Sequence, residues 1–186
     1  MRKFIPLLTF LFFMTILFGT IAVVAQQLQR ANAYDPQIQI AEDAAIALNN
    51  EVSPQGLVGV KVDLQKSLAP FIIIYDKLGV PVAGNGFIGK EIPVIPFGVL
   101  NASKNKSYHT VTWQPQSDVR LASVTVKANN FYVVTGKSLR ETEKRESQIM
   151  LVVAVGWIFS VAGILIATYF YVYRWLLFKE WLAENR

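Results

Sequence analysis

The sequence predicts an α+β domain with an antiparallel sheet and a long N-terminal helix, flanked by two transmembrane helices. Two uncharged apolar runs, residues 4–25 and 149–173, bracket the chain. Between them, a helical apolar repeat is followed by several short segments in which apolar and polar residues alternate. The change from a helical period to a period of two predicts a helix followed by strands.

Each apolar run is long enough to cross a bilayer as a helix. A hydrocarbon layer of about 30 Å needs roughly 20 residues at a rise of 1.5 Å per residue. A backbone exposed to lipid must also satisfy its own hydrogen bonds, which favours a helix in both runs. We therefore expect an N-terminal span over residues 1–25, a central domain over 26–148, a C-terminal span over 149–173 and a short tail over 174–186.

Basic residues flank the two apolar runs on their outer sides. Arg2 and Lys3 precede the first run, and three basic residues follow the second: Arg174, Lys179 and Arg186. Lys and Arg in short flanks favour the cytoplasm. We therefore expect a two-pass protein of the cell membrane, with both termini cytoplasmic and residues 26–148 extracytoplasmic.

The first apolar run has an alternative interpretation as a cleaved signal peptide. It has a basic start, and Val23, Val24 and Ala25 are small residues at its end. The apolar core of a signal peptide is about 7 to 15 residues long, and this run is longer. A retained anchor is the expected outcome.

The composition argues against several classes of function. The net charge of +5 is not gathered into a basic block with interleaved aromatic residues, so we expect no nucleic-acid partner. The chain has no Cys and a single His, His109, so we expect neither a disulfide nor a metal site. Because no Gly-rich phosphate loop follows a strand, we also expect neither an enzyme nor a cofactor.

The central domain begins with a helical pattern. Asp35 supplies an N-cap acceptor and Pro36 suits the first helical position, so we expect the helix to restart here after a break from the first span. Apolar residues then recur at helical spacing: Ile38, Ala41, Ala45 and Leu48. The opposite face is predicted to be exposed and to carry Gln37, Glu42 and Asp43.

A hairpin is predicted where the period changes. Residues 70–75 and 80–83 form its strands, Asp76 accepts hydrogen bonds from the amides that follow, and Gly79 takes the positive φ that closes the turn. Residues 84–105 are rich in Gly and Pro and predict a long ordered loop with one helical turn. Such loops often cover a ligand, although a packing role is equally common.

Three further strands complete the predicted sheet, over residues 108–114, 120–127 and 131–136. The loops between them are short, so neighbouring strands should be antiparallel. The last strand is followed by a capping-box pattern, in which Ser138 accepts from the amide of Glu141 and a helix begins at once. No Gly or Pro interrupts residues 139–148, so this helix should continue into the second span as one rod.

Small residues form a stripe on each predicted span. The stripes consist of Gly156, Ser160, Gly163 and Ala167 in the second span and of Thr15, Gly19 and Ala22 in the first. Small residues allow close approach of helix backbones, so we expect the stripes to pack within one chain or across a dimer.

The order of these elements is similar to that of a known family. A long helix, the hairpin around Asp76 and Gly79, a Gly/Pro-rich loop, three antiparallel strands and a helix returning to the membrane resemble the Cache type of extracytoplasmic PAS-like sensor domain. Bacterial histidine kinases and chemoreceptors carry such domains. The resemblance covers roughly residues 35–148 and implies a small-molecule pocket on the sheet face under the central loop.

Two functions follow as hypotheses. In the first, the domain binds a ligand and signals through a separate partner or a homodimer, because the dozen or so residues after the second span hold no kinase or coiled-coil output module. In the second, the protein is a structural or assembly subunit without a small-molecule ligand.

The candidate ligand-binding residues are aromatic or cationic: Tyr75, Trp113, Arg120, Tyr132 and Lys137. Trp113 and Tyr132 could instead be core residues without a ligand. Arg120 and Lys137 could instead be solvated charges at the edge of a strand.

Overall fold

The fold is described from a computed structural model, which covers residues 5–184. Arg2, Lys3 and Arg186, on which the predicted orientation partly depends, lie outside the described residues. In chain order, the elements are α1 (Ile5–Asn49), a 3-10 turn (Pro54–Leu57), β1 (Val62–Asp63), β2 (Phe71–Asp76), β3 (Pro81–Gly84), β4 (Gly86–Phe87), α2 (Phe97–Asn101), β5 (His109–Gln116), β6 (Val119–Ala128), β7 (Phe131–Ser138) and α3 (Arg140–Glu184).

The chain divides into two compact units. Leu28–Arg145 forms one unit, and the helical segments on either side of it form the other. The first unit contains every strand of the described residues, and the second contains the apolar stretches of α1 and α3. Each unit is described by itself below.

The main sheet has five antiparallel strands in the order β3-β2-β7-β6-β5. The register places Ile72 opposite Thr135, and Thr135 opposite Val124. A separate pair of two-residue strands, β1 and β4, is parallel. The predicted α+β architecture with a long N-terminal helix and an antiparallel sheet is therefore confirmed. The two short strands were missed because two residues show no periodicity.

The hairpin between β2 and β3 is held by its own turn residues. The Asp76 carboxylate accepts hydrogen bonds from the amides of Leu78 and Val80, at 2.9 and 2.8 Å. Gly79 has a φ of 82°, a left-handed conformation that glycine adopts without a steric penalty. Both predicted roles are confirmed.

Helix α1 covers one face of the sheet, which we call the helix face. This face carries the apolar residues Ile72, Ile74, Val124, Val126 and Val133, and Ala41, Ala44, Ala45 and Leu48 of α1 pack on them. The face of α1 that contacts the sheet also includes Gln37, which is only 2% exposed. The predicted exposure of Gln37 is wrong, because the buried side of α1 is wider than the predicted one and also includes Gln37 and Ala44, while Ile38 is half-buried.

The predicted break at Pro36 is also wrong, because α1 continues through this residue. A proline inside a helix removes one backbone hydrogen bond, here to the carbonyl of Asn32, and costs about 3 kcal/mol. Burial on both sides of Pro36 offsets this cost. Ala33 before it and Ala41 after it lie on the same buried stripe, so a break would remove part of that stripe from the sheet.

The opposite face of the sheet, which we call the loop face, is covered by the chain between β1 and β5. Phe71, Ile73, Tyr75, Leu121 and Val134 project from this face. They pack with four residues of the covering segments: Val62, Leu64, Ile95 and Leu100. The predicted loop over residues 84–105 therefore forms the second layer of the core and includes the short helix α2.

Helix α3 begins directly after β7, as predicted, but its N-terminus differs from the predicted capping box. The Ser138 hydroxyl accepts from the amide of Arg140, at 3.3 Å, rather than from the amide of Glu141. The first helical backbone bond runs from the amide of Glu143 to the carbonyl of Leu139, at 2.8 Å. The cap is therefore shifted by one residue.

The apolar stretches of α1 and α3 are each long and apolar enough to cross a membrane, and their residues are not buried within the protein. They contact one another: Trp157 Nε1 donates to Thr15 Oγ1 at 3.2 Å, and a Cβ atom on Gly156 would lie 3.1 Å from Phe18 Cε1. Nothing lies within 4 Å of a Cβ atom on Gly19 or Gly163. Within one chain, therefore, the predicted stripes do not pack as a whole, and Gly156 alone of the three stripe glycines contacts the other helix.

Candidate functional site

A polar cavity of about 270 Å³ lies where α1 and α3 meet the end of β7. We call it the helix cavity. Its lining comes from three parts of the chain: Gln29, Asn32 and Ala33 of α1; Leu68 before β2; and Lys137, Ser138, Glu141, Thr142 and Arg145 of β7 and α3. All of these residues belong to the unit Leu28–Arg145.

Helical spacing brings these side chains to one place. In α1, Asn32 and Ala33 follow Gln29 by three and four residues, which puts all three on one side of the helix. In α3, Arg145 follows Glu141 by four residues, with the same effect. Ala33 is 1% exposed and packs with Ala122 and Leu139, so it forms the closed wall of the cavity.

The chemistry of the helix cavity is mixed in charge. Lys137 and Arg145 supply two cations and Glu141 supplies one carboxylate, while Gln29 and Asn32 supply amides. Among residues 5–184, no side-chain hydrogen bond or ion pair involves any of these five side chains. Their donors and acceptors are therefore available to a ligand. Groups of both signs suit a small molecule that is itself polar or carries both charges.

One of the five predicted ligand-binding residues, Lys137, lines the helix cavity. It is half-buried at the end of β7, opposite Ala122 in the register. The other residues of the cavity were not identified from the sequence. Most of them come from α1 or from the β7–α3 region, which are more than a hundred positions apart, and the polar ones on the helices look like ordinary residues of a solvated helix.

Three predicted residues, Tyr75, Trp113 and Tyr132, are buried in the core of the loop face. The Tyr75 hydroxyl donates to the carbonyl of Pro93 at 2.8 Å, and burial raises the pKa of this hydroxyl well above its usual value. Trp113 packs against Phe71 with ring centroids 6.5 Å apart, and Tyr132 contacts Phe97 edge to face at 6.4 Å. These contacts are those of core residues.

The fifth predicted residue, Arg120, forms an ion pair with Glu143 near the start of α3. Both side chains are partly exposed and line a separate cavity of about 230 Å³. The structure therefore distributes the five predicted residues over different places. It places Tyr75 and Tyr132 opposite each other, whereas Trp113 lies level with Leu121 and Ser138, six residues along β7 from Tyr132.

The core of the loop face contains two hydroxyl groups without partners. Ser123 and Thr125 are fully buried, and Ser123 Oγ and Thr125 Oγ1 have no hydrogen-bond partner within the described part of the chain. They are two positions apart on β6 and therefore point to the same side of the sheet. A buried hydroxyl without a partner has an energetic cost. The other side chains in this core cluster are hydrophobic.

Metal ligands are not gathered at any place in residues 5–184, because no group of three or more His, Asp or Glu residues occurs there. Comparison with protein-family models, with curated proteins and with solved structures finds no match. The fold and the cavity thus define an α+β domain with a five-stranded antiparallel sheet, carried between two long apolar helices.

Proposed function

We propose that the protein is a two-pass membrane protein whose extracytoplasmic domain binds a small polar ligand and signals through a separate partner. Its two apolar helices are the membrane spans and both termini are cytoplasmic. The basic residues Arg174 and Lys179, which follow the second apolar run, support this orientation.

The proposal assigns the domain to the Cache type of PAS-like sensor domains. The strand order supports the assignment: the first strand of the hairpin, β2, lies inside the sheet beside the last strand, β7, and β5 is at the far edge. A PAS-like sheet is expected to have this order. The layer of loop and short helix over the loop face also agrees with the resemblance.

The observation that carries the proposal is the position of the helix cavity. Its lining includes residues of both helices that continue into the apolar stretches, Gln29 and Asn32 of α1 and Glu141 and Arg145 of α3. A ligand that contacts both helices binds more tightly to one of their arrangements than to another. It therefore shifts the population toward that arrangement, which is the thermodynamic requirement for a signal.

A binding screen tests the ligand. The full chain in neutral detergent micelles is heated with amino acids, organic acids, amines and sugars, and a ligand of the folded state raises the melting temperature. For a compound that does so, Lys137→Gln and Arg145→Gln should each weaken binding about tenfold or more, because a hydrogen bond to a charged group contributes about 1.5–3 kcal/mol.

Lys90→Gln is the matched control, since Lys90 is exposed and does not line the helix cavity. It removes the same charge and should leave binding unchanged. The proposal fails if no compound stabilises the protein, or if Lys90→Gln weakens binding as much as the two cavity variants.

A second experiment tests transmission. Two glycines inserted after Gln148 interrupt α3 beyond Arg145, the last residue that lines the helix cavity, and each glycine in a helix costs about 1 kcal/mol relative to alanine. We expect ligand binding and membrane insertion to persist while the cellular response to the ligand is lost. An unchanged response would exclude signalling through α3.

An assembly subunit without a small-molecule ligand is the second candidate. The observation that favours it is the filled loop face: where the resemblance implies a pocket, Tyr75, Trp113 and Tyr132 pack in the core. In addition, β5 is an eight-residue edge strand whose outer side is not paired with another strand of the described residues. Failure of the ligand screen together with copurification of a membrane partner would favour this candidate.

A further inference from the structure

A third cavity, of about 300 Å³, lies at the end of the sheet where the turns of β2–β3 and β6–β7 are located. We call it the lysine cavity. Three lysines from separate segments line it: Lys77 of the hairpin turn, Lys104 after α2, and Lys127 near the end of β6. It shares no residue with the helix cavity.

The fold positions two of these lysines, Lys77 and Lys127, through separate elements. The Asp76 carboxylate holds the turn that carries Lys77. Lys127 lies opposite Tyr132 in the register of β6 and β7. Asn129, with a φ of 34°, and Asn130 form the tight turn that brings these strands together. Side-chain amides of this kind can donate to an anion.

The charge of the lysine cavity is of one sign. No Asp or Glu side chain is part of its lining. Among the residues that the structure describes, none of the three lysines forms an ion pair. Like charges that line one cavity repel each other, and their potential raises the local concentration of anions. A group with several negative charges relieves this repulsion, whereas a cation or a neutral molecule does not.

We propose that the lysine cavity binds a small multivalent oxyanion, with phosphate or carboxylate groups that contact Lys77, Lys104 and Lys127. Lysine binds such groups as a point charge. The side-chain amides of Asn129 and Asn130 supply additional donors. A volume of about 300 Å³ is at the small end of the range for ligand sites and suits a small molecule rather than a polymer.

Calorimetric titration of the full chain in neutral detergent micelles tests this proposal. The probes are pyrophosphate and propane-1,2,3-tricarboxylate, which distinguish phosphate from carboxylate as the bound group. We expect one site per chain for at least one probe, and weaker binding as the salt concentration rises. The triple variant Lys77→Gln, Lys104→Gln, Lys127→Gln should bind that probe about tenfold more weakly or worse.

The matched control carries Lys61→Gln, Lys66→Gln and Lys90→Gln, three exposed lysines that do not line the lysine cavity. It has the same net charge as the triple variant and should bind the probe like the unmodified protein. Lys127→Gln alone should weaken binding measurably, which gives a second reading if the triple variant does not fold. The proposal is overturned if neither probe binds, or if the control loses as much affinity as the triple variant.

Discussion

Gly136 in β7 shows how closely single residues determine the packing of the sheet. A Cβ atom at this position would lie 2.6 Å from the carbonyl oxygen of Ala122 and 2.8 Å from Phe71 Cζ. The ring of Phe71 occupies the space that a side chain at Gly136 would need. The absence of a side chain therefore allows a large aromatic residue to lie flat on the loop face.

We predict that Gly136→Ala destabilises the protein by about 1–3 kcal/mol, the usual cost of overpacking a core. Thermal unfolding of the full chain in micelles should show a clearly lower midpoint. Gly98→Ala is the control, because nothing lies within 4 Å of a Cβ atom on Gly98 and alanine favours a helix. Equal midpoints for the two variants would contradict the predicted contact.

Tyr75 gives a prediction of pH dependence. Burial raises the pKa of its hydroxyl, so the unfolded chain releases this proton at a lower pH than the folded protein does. The contribution of this raised pKa to the free energy of unfolding is fully present below about pH 10, the ordinary pKa of tyrosine. It is lost as the pH rises above that value.

In Tyr75→Phe, the carbonyl of Pro93 loses its bond, which should cost about 1 kcal/mol at neutral pH. Above about pH 10, the melting temperature of the unmodified protein should fall more steeply than that of Tyr75→Phe, so that the difference between them shrinks. Tyr108→Phe, at an exposed position, should follow the unmodified protein. Parallel curves for the unmodified protein and Tyr75→Phe would refute the prediction.

At the scale of elements, the contacts between the apolar stretches of α1 and α3 differ from those expected of small residues alone. Phe18 lies against Gly156, and Trp157 donates to Thr15. A large side chain of one helix therefore fits over a glycine of the other. The pattern of small residues predicted that Gly156 of α3 contacts α1, but it did not predict that the contacting residue of α1 is Phe18.

Cysteine pairs can test this packing, because the chain has no cysteine of its own. Phe18→Cys with Gly156→Cys should react with a short bismaleimide linker to give a crosslink within one chain, detected by mass spectrometry. Gly19→Cys with Gly163→Cys should give much less of this product, because no other side chain lies near either position. A higher intramolecular yield from the second pair would show that the helices pack through the predicted stripes.

At the scale of the whole molecule, the proposed orientation makes a prediction about topology. A reporter that is active only in the cytoplasm should work at either terminus and fail when it is inserted into the β6–β7 turn at Asn129 and Asn130. The same insertion should be active with a reporter that requires export. A mature protein that lacks the first apolar run would contradict the two-pass arrangement and support a cleaved signal peptide.

Local patterns in the sequence were sufficient for much of the architecture. The length of the apolar runs predicts two long helices, and the residues Asp76 and Gly79 predict the hairpin turn, because each depends on neighbouring residues alone. Strands β5 and β6 were predicted from alternation and β2 and β7 from runs of apolar residues, although β7 continues two residues beyond its predicted end. The same reasoning wrongly predicted a break in α1 at Pro36. Burial of α1 against the sheet outweighs the tendency of proline to interrupt a helix.

The sequence by itself determined the kinds and order of the two long helices and of the five strands of the main sheet, because hydrophobic period and turn chemistry act over a few residues. Only the tertiary structure decided which polar side chains meet. Gln29 and Arg145 line one cavity, and Lys77 and Lys127 another, because strand order and helix rotation bring distant segments together. The sequence predicted both Tyr75 and Lys137 as ligand-binding residues. The tertiary structure places Tyr75 in the core of the loop face and Lys137 at the helix cavity.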